Sequence, residues 1–229
     1  MEYGLDYWIA NKYKLLTMYQ KLGKKHEKIL YVLTKKLELI LANSGCNAQI
    51  KGRIKSFDAF YRKLLSRCQN QIIEKPLDAI TDIIGIRLVV PFLDDLDRLE
   101  KLVMDNFEIV ETEHKKRELN IREFGYDSIH IQVLLPDDVI AKAKAHDKMQ
   151  VEVQLRTILQ DAWAEVEHEL IYKTSTDKVE DTIRRKMIAV NATLSLGDTI
   201  FQEIRDYQRK RYKDIQERHK KLMDKVSTI

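Results

Sequence analysis

The sequence predicts an α+β protein, with about four to five strands forming a sheet, helices flanking it, and a long helix at each end of the chain. Three observations predict it. Residues 149–157 and 129–135 alternate with the period of a half-buried strand: Val151, Val153 and Leu155 oppose Glu152, Gln154 and Arg156, and Ile129, Ile131 and Val133 oppose His130 and Gln132. Residues 81–90 are β-branched and almost continuously apolar up to Pro91, the pattern of a central strand. Elsewhere apolar residues recur at helical spacing, as at Leu96, Leu99, Leu102 and Val103.

In chain order, residues 5–43 carry one helical stripe through Ile29, Leu30, Leu33, Leu37, Ile40 and Leu41, ending at Asn43-Ser44-Gly45, with Gly23 the candidate for a break. A basic stretch, Lys51-Gly52-Arg53-Ile54-Lys55, then runs into a helix over 59–65. Arg53 and Lys55 alternate on the extended part and Lys63 lies on the helix, so the three can meet around a polyphosphate or stand as scattered surface cations; spacing does not choose. Asp82 opens the apolar strand as a turn residue or a metal-binding carboxylate. Strict alternation sends Asp82 and Arg87 to opposite faces, so they share a site only if Asp82 lies outside the regular strand. Gly85 beside Arg87 suggests close approach by another group.

A helix is expected over 94–106 and a strand over 107–113, followed by the basic loop His114-Lys115-Lys116-Arg117. Gly125 frees the backbone before Tyr126, whose ring can stack on a base or serve a turn. Pro136-Asp137-Asp138 ends the 129–135 strand, and a polar linker containing a surface His146-Asp147 pair leads to residue 149. After Thr157 a helix carries an apolar stripe (Leu159, Trp163, Val166, Leu170) read as core, and a polar one (Asp161, Glu165, His168, Tyr172) that lines a cleft or faces water. A long helix follows over 179–226, apolar at Ile183, Met187, Val190, Leu194, Phe201 and Ile204 and sparser beyond. The expected organisation is a helical segment 1–45, a core 46–175 and a terminal helix 176–229.

Composition narrows the function. With 33% charged and 44% hydrophobic residues, the 229-residue chain is expected to be a compact cytoplasmic protein with no membrane association. Cys46 and Cys68 form neither a disulfide framework nor a metal-ligand pair. The net charge of +4 is concentrated between Arg205 and Lys225, where nine Lys or Arg face four acids; a solvated helix face explains this more simply than nucleic acid does. No Walker-type glycine loop or His-Glu-x-x-His pair occurs, so nucleotide chemistry here would need side-chain cations and carboxylate-held magnesium, with Asp82 and Glu152 the candidate ligands.

Taken together, Gly52-Arg53-Ile54-Lys55 with Lys63, the Asp82–Arg87 strand, Gly125-Tyr126-x-Ser128-x-His130, Glu152-x-Gln154-x-Arg156-Thr157 and the helix from Gln160 to His168 with Tyr172-Lys173 resemble the synthetase domain of the RelA/SpoT alarmone synthetases, particularly its small single-domain members. The resemblance implies a nucleotidyltransferase-like mixed sheet and Mg2+-dependent transfer of pyrophosphate from ATP to the ribose 3′-hydroxyl of GTP or GDP, making (p)ppGpp. It implies that Arg53, Lys55, Lys63 and Arg87 hold ATP, and that Asp82 and Glu152 bind the metal. Glu152 would also be the general base, while Tyr126, His130, Lys115 and Gln154 would receive the acceptor. A homo-oligomer is expected. Ala59 stands where the family usually has Ser, and Ile121-Arg122-Glu123-Phe124 replaces a usual Pro-Lys pair. Two alternatives accompany this reading: a toxic relative that pyrophosphorylates the 3′ end of tRNA, which the basic 114–117 loop would suit, and an inactive nucleotide- or RNA-binding module, against which an intact Asp82 and Glu152 argue.

Overall fold

A computed structural model describes residues 3–114, 128–145, 149–172 and 181–226. Five strands form one mixed sheet in the order β1-β2-β5-β4-β3: β1 (Gln49–Ile54), β2 (Ile84–Val90), β3 (Ile109–His114), β4 (Ile129–Leu134) and β5 (Gln150–Thr157). Only β2 and β5 pair in parallel; the other neighbours are antiparallel. The helices are α1 (Leu5–Ala10), α2 (Lys12–Ser44), α3 (Phe57–Cys68), α4 (Pro76–Ala79), α5 (Asp94–Asn106), α6 (Asp137–Ala143), α7 (Ile158–Tyr172) and α8 (Asp181–Val226).

The alternation expected of β5 and β4 gives the sheet one apolar face. Ile84, Ile86, Leu88 and Val90 join Val151, Val153, Leu155, Ile131 and Val133 there, covered by Ile29, Leu33, Leu37 and Leu41 of α2 and by Leu99, Val103, Val139 and Ala143 of α5 and α6. A second cluster, Trp8, Leu15, Tyr19, Phe60, Leu64 and Ile83 among others, packs α3 against α1 and α2. The opposite face of the sheet keeps the polar residues, and α7 packs over β2 and β5. Its start is a capping box: the Thr157 hydroxyl accepts from Gln160 N at 3.1 Å, and Gln160 Oε1 accepts from Thr157 N at 2.8 Å. The same hydroxyl donates to Asp198 of α8 at 2.6 Å, and Arg205 of α8 grips Asp95 of α5 through two 2.7 Å bonds.

Four expectations are corrected. The first helix breaks at Asn11, whose amide donates to Tyr7 O at 2.8 Å, and α2 runs unbroken through Gly23. The cost of one glycine, about 1 kcal/mol, is outweighed by burial on both sides of it. Residues 137–143 form a helix, not a linker: Pro136 precedes two first-turn aspartates, and Val139 and Ala143 enter the core. The regular part of the apolar strand starts at Ile84, leaving residues 81–83 in a turn. Finally, the α7 stripe read as core is only partly so, and α8 is exposed along much of its length. Trp163 and Met187 are buried, whereas Val166, Leu170, Ile183, Val190, Phe201 and Ile204 are exposed.

Leu33 is fully buried between α2 and the sheet. Leu33→Ala is expected to lower the unfolding free energy by about 2–5 kcal/mol, through lost transfer and a residual cavity, as measured by urea denaturation.

Candidate functional site on the polar face of the sheet

Register gathers the polar residues. Across β1 and β2, Lys51 lies opposite Arg87 and Arg53 opposite Gly85; across β2 and β5, Gly85 lies opposite Glu152 and Arg87 opposite Gln154; across β4 and β5, His130 lies opposite Gln154. Lys51, Arg53, Arg87, Glu152, Gln154 and His130 therefore share one face. The group approaching Gly85 is Arg53 itself, whose Nε would lie 3.6 Å from a Cβ placed there.

At one end of this row stands Asp82. Because residues 81–83 lie outside the ladder, strand parity does not dictate where its side chain points. Lys55 and Lys63 converge on its Oδ2 at 2.9 and 2.8 Å. Burial pushes the Asp82 carboxyl up, but the hydrogen bonds and charges of Lys63 and Lys55 outweigh it and hold the group below the ordinary aspartate value. Lys55 is fixed through its backbone: its N–H donates to Ile83 O at 2.8 Å, and its carbonyl accepts from the Tyr19 hydroxyl at 2.5 Å. Burial, then the Asp82 charge, push the Tyr19 phenol up to about 12, so it remains a donor at neutral pH.

The centre of the row is a hydrogen-bonded chain. Glu152 Oε1 lies 2.9 Å from His130 Nδ1, and Glu152 Oε2 accepts from Gln154 Nε2 at 2.7 Å. An ionised carboxylate only accepts, so Nδ1 carries the proton toward Glu152; in the neutral ring, Nε2 then accepts from the Ser128 hydroxyl, 3.0 Å away. Burial raises the Glu152 carboxyl, but the His130 and Gln154 contacts prevail and hold it below the ordinary glutamate value; the Asp82 charge acts against them. Arg87 donates to Gln154 Oε1 and to Asp161 Oδ1, each at 3.2 Å, and also to Glu165, while Lys51 pairs with Asp161 Oδ2 at 2.5 Å.

The structure thus brings Arg53, Lys55, Lys63, Asp82, Arg87, His130, Glu152 and Gln154 to one face. Tyr126 and Lys115 lie outside the described residues. Three residues were not singled out from sequence as site members: Lys51, which shares the alternation of Arg53 and Lys55; Asp161, whose polar helical stripe left cleft and solvent equally open; and Tyr19, 36 residues from Lys55 with no local signal.

Magnesium suits the oxygen donors present. Among the described residues no group of three or more His, Cys, Asp or Glu forms a metal cage. Mg2+ usually takes one or two carboxylates and completes its shell with water and substrate phosphates. Asp82 Oδ1 is buried and has no hydrogen-bond partner, a carboxylate oxygen left over for such an ion.

Comparison with known proteins gives a consistent result. Residues 52–177 match the family described as a region found in RelA / SpoT proteins. The chain is 26% identical over 127 residues to GTP pyrophosphokinase YwaC of Bacillus subtilis, an alignment spanning 56% of this chain and 59% of YwaC. It is 25% identical over 156 residues to GTP pyrophosphokinase YjbM of the same organism, spanning 68% of this chain and 71% of YjbM. Its fold matches the small alarmone synthetase 1 of Bacillus subtilis with a TM-score of 0.70 at 22% identity, covering 84% of this chain and 98% of that one. The form of that synthetase bound to its product pppGpp matches with a TM-score of 0.68 at 21% identity, covering 84% and 99%.

Tyr19→Phe removes only the hydroxyl that holds the Lys55 carbonyl. Thermal or urea unfolding should show a loss of about 0.5–1.5 kcal/mol, and an unchanged midpoint would mean that the bond contributes nothing.

Proposed function

The chain belongs to the RelA/SpoT family, and from that premise we propose that it is a GTP pyrophosphokinase, an ATP:GTP 3′-diphosphotransferase moving the terminal pyrophosphate of ATP to the ribose 3′-hydroxyl of GTP or GDP. One observation carries the reading: two lysines and a depressed, buried aspartate share a sheet face with a carboxylate held by a histidine and an amide. The relatives named GTP pyrophosphokinase favour a guanosine nucleotide over a tRNA end as acceptor. Self-association belongs to the same proposal, supported by the exposed Val190, Phe201 and Ile204 on α8.

In this mechanism the acceptor 3′-oxygen attacks the β-phosphorus of ATP, a new O–P bond forms there, the bond from that phosphorus to the α,β-bridging oxygen breaks, and AMP leaves with the bridging oxygen. Lys55, Lys63, Arg53 and Arg87 hold the donor polyphosphate, the two lysines transferring hydrogen bonds from Asp82 to phosphoryl oxygens. Glu152, ionised at neutral pH, takes the 3′-hydroxyl proton, and His130 and Gln154 keep its oxygens aimed. Asp82 and Glu152 would hold Mg2+, which would neutralise charge on the polyphosphate. Little covalent participation is required of the protein, because phosphoryl transfer depends chiefly on positioning and electrostatic stabilisation. Tyr126 would stack on the guanine and Lys115 would meet the acceptor.

Incubation of the purified chain with β-labelled ATP, Mg2+ and either GTP, GDP or deacylated tRNA should move label onto GTP or GDP; label on tRNA alone, or on nothing, rejects the reading. Glu152→Gln keeps the shape but removes the base, and should lower turnover by about 10²–10⁴-fold; near-normal turnover would reject the role of Glu152. Tyr126→Ala should weaken GTP binding by roughly 1–3 kcal/mol with ATP affinity held, and Tyr126→Phe should be mild. Equal loss for both nucleotides would mark a structural tyrosine.

A further inference from the structure

The polar stripe of α7 reaches the candidate site through Asp161, to which the mechanism above gives no part. Lys51 of β1 and Arg87 of β2 are direct cross-strand partners in an antiparallel pair. Two like charges so placed repel each other. Asp161 bridges them: its Oδ1 accepts from Arg87 Nη1 at 3.2 Å and its Oδ2 from Lys51 Nζ at 2.5 Å. The Asp161 side chain is only 3% exposed, against 14% for Arg87 and 44% for Lys51.

The backbone holds Asp161 in place. It lies in the first turn of α7, just after β5, where the Thr157–Gln160 capping box fixes the helix start and the Thr157 hydroxyl ties that start to Asp198 of α8. The partial positive charge of the helix N-terminus also favours a carboxylate there. Asp161 is therefore a short, fixed anchor to which two long cationic side chains come. Glu165, one turn further on, meets the same Arg87 nitrogen, but its side chain is 61% exposed, and a pair open to water contributes little.

For Arg87 the consequence is orientation. Gln154 Oε1 accepts from its Nε at 3.2 Å while Asp161 takes its Nη1. Anchors on two different nitrogens of a rigid planar fork fix its plane, and among the described residues Nη2 makes no hydrogen bond. We propose that Asp161 is a positioning residue: it neutralises the Lys51–Arg87 pair and holds the Arg87 guanidinium in the one orientation in which it meets ATP. The inference rests on the pyrophosphokinase reading for the ligand of Arg87. Without the Asp161 charge, Arg87 keeps its own charge and its Gln154 contact but loses its fixed plane. ATP is still attracted, because a negative charge beside the site has gone, but its reacting atoms are no longer aligned. Asp161 therefore acts on rate more than on affinity.

The test uses the full chain with Asp161→Asn, Asp161→Glu and Arg87→Lys, the last keeping charge without the planar fork, and with the double variants. Three quantities are measured: steady-state transfer from labelled ATP to GTP, thermal unfolding without nucleotide, and the 15N NMR signals of the arginine guanidinium groups. The Arg87 signal is the one that Arg87→Lys removes. Asp161→Asn should lower kcat about tenfold to a hundredfold, leave KM for ATP unchanged or lower, and merge the two Nη signals of Arg87 as its guanidinium begins to rotate. In the Arg87→Lys background the same change should cost at most about twofold, because no fork remains to be oriented. Asp161→Glu keeps the charge and displaces it by one methylene, so it carries the test if Asp161→Asn does not fold, with the same fall in kcat and the same dependence on Arg87. Unchanged kcat in a folded variant, an equal loss with and without Arg87, or an Arg87 signal that stays fixed would overturn the proposal. Failure of both variants to fold would overturn it too, by showing that Asp161 serves the fold. A wild type that binds ATP but labels no guanosine nucleotide would reject the pyrophosphokinase reading, and the positioning of Arg87 then stands or falls on its NMR signal alone.

Discussion

The parallel register of β2 on β5 is the constraint on which everything else depends. It sets Gly85 beside Glu152 and Arg87 beside Gln154, so that two strands distant in sequence contribute to one polar row while their other sides close one core. Side chains alternate along a strand, so a slip of one residue would send Glu152, Gln154 and Arg156 into the apolar layer under α2 and bring Val151, Val153 and Leu155 to the polar face. The hydrophobic pattern that stabilises the sheet therefore also fixes the position of the candidate base. The geometry of the polar row and the packing of the core cannot be varied independently in this fold.

Within that frame, four cations of the polar face are paired with the protein's own carboxylates. Asp82 holds Lys55 and Lys63, and Asp161 holds Lys51 and Arg87. On the proposed reading, a polyphosphate entering such a row would take over hydrogen bonds from donors already in place. That would reduce the reorganisation needed as charge shifts during transfer, which is how preorganised polar sites contribute to rate. Lys55 illustrates the device: its amine meets Asp82, while its backbone is tied on one side to Ile83 and on the other to Tyr19.

Much of this was legible in the residues because strand alternation is a local property. Parity put Glu152 with Gln154 on one side of their strand and His130 with Gln132 on one side of theirs, and the register then sets His130 opposite Gln154 and Gln132 opposite Glu152. Asp82 lay beyond that reasoning: parity set it opposite Arg87, and only the turn at 81–83, a product of tertiary packing around Ile80 and Ile83, frees it. Asp161 and Tyr19 are similar, since a helix periodicity shows which residues share a stripe but not what that stripe meets. The exposed apolar side chains of α7 and α8 mark the converse limit: helical spacing identified the stripes and could not say how much of each is covered by the same chain.

The central claim is that Asp82 and Glu152 belong to one nucleotide-binding centre on the polar face. A crystal structure with Mn2+ and a non-hydrolysable ATP analogue tests it most directly, because the anomalous signal of manganese locates the ion independently of the protein density. The account predicts manganese in contact with Asp82 and the polyphosphate, on the side of the sheet that bears Glu152, with Lys55 and Lys63 turned to phosphoryl oxygens. Manganese and polyphosphate bound away from that face, with Asp82 still held only by its two lysines, would contradict it.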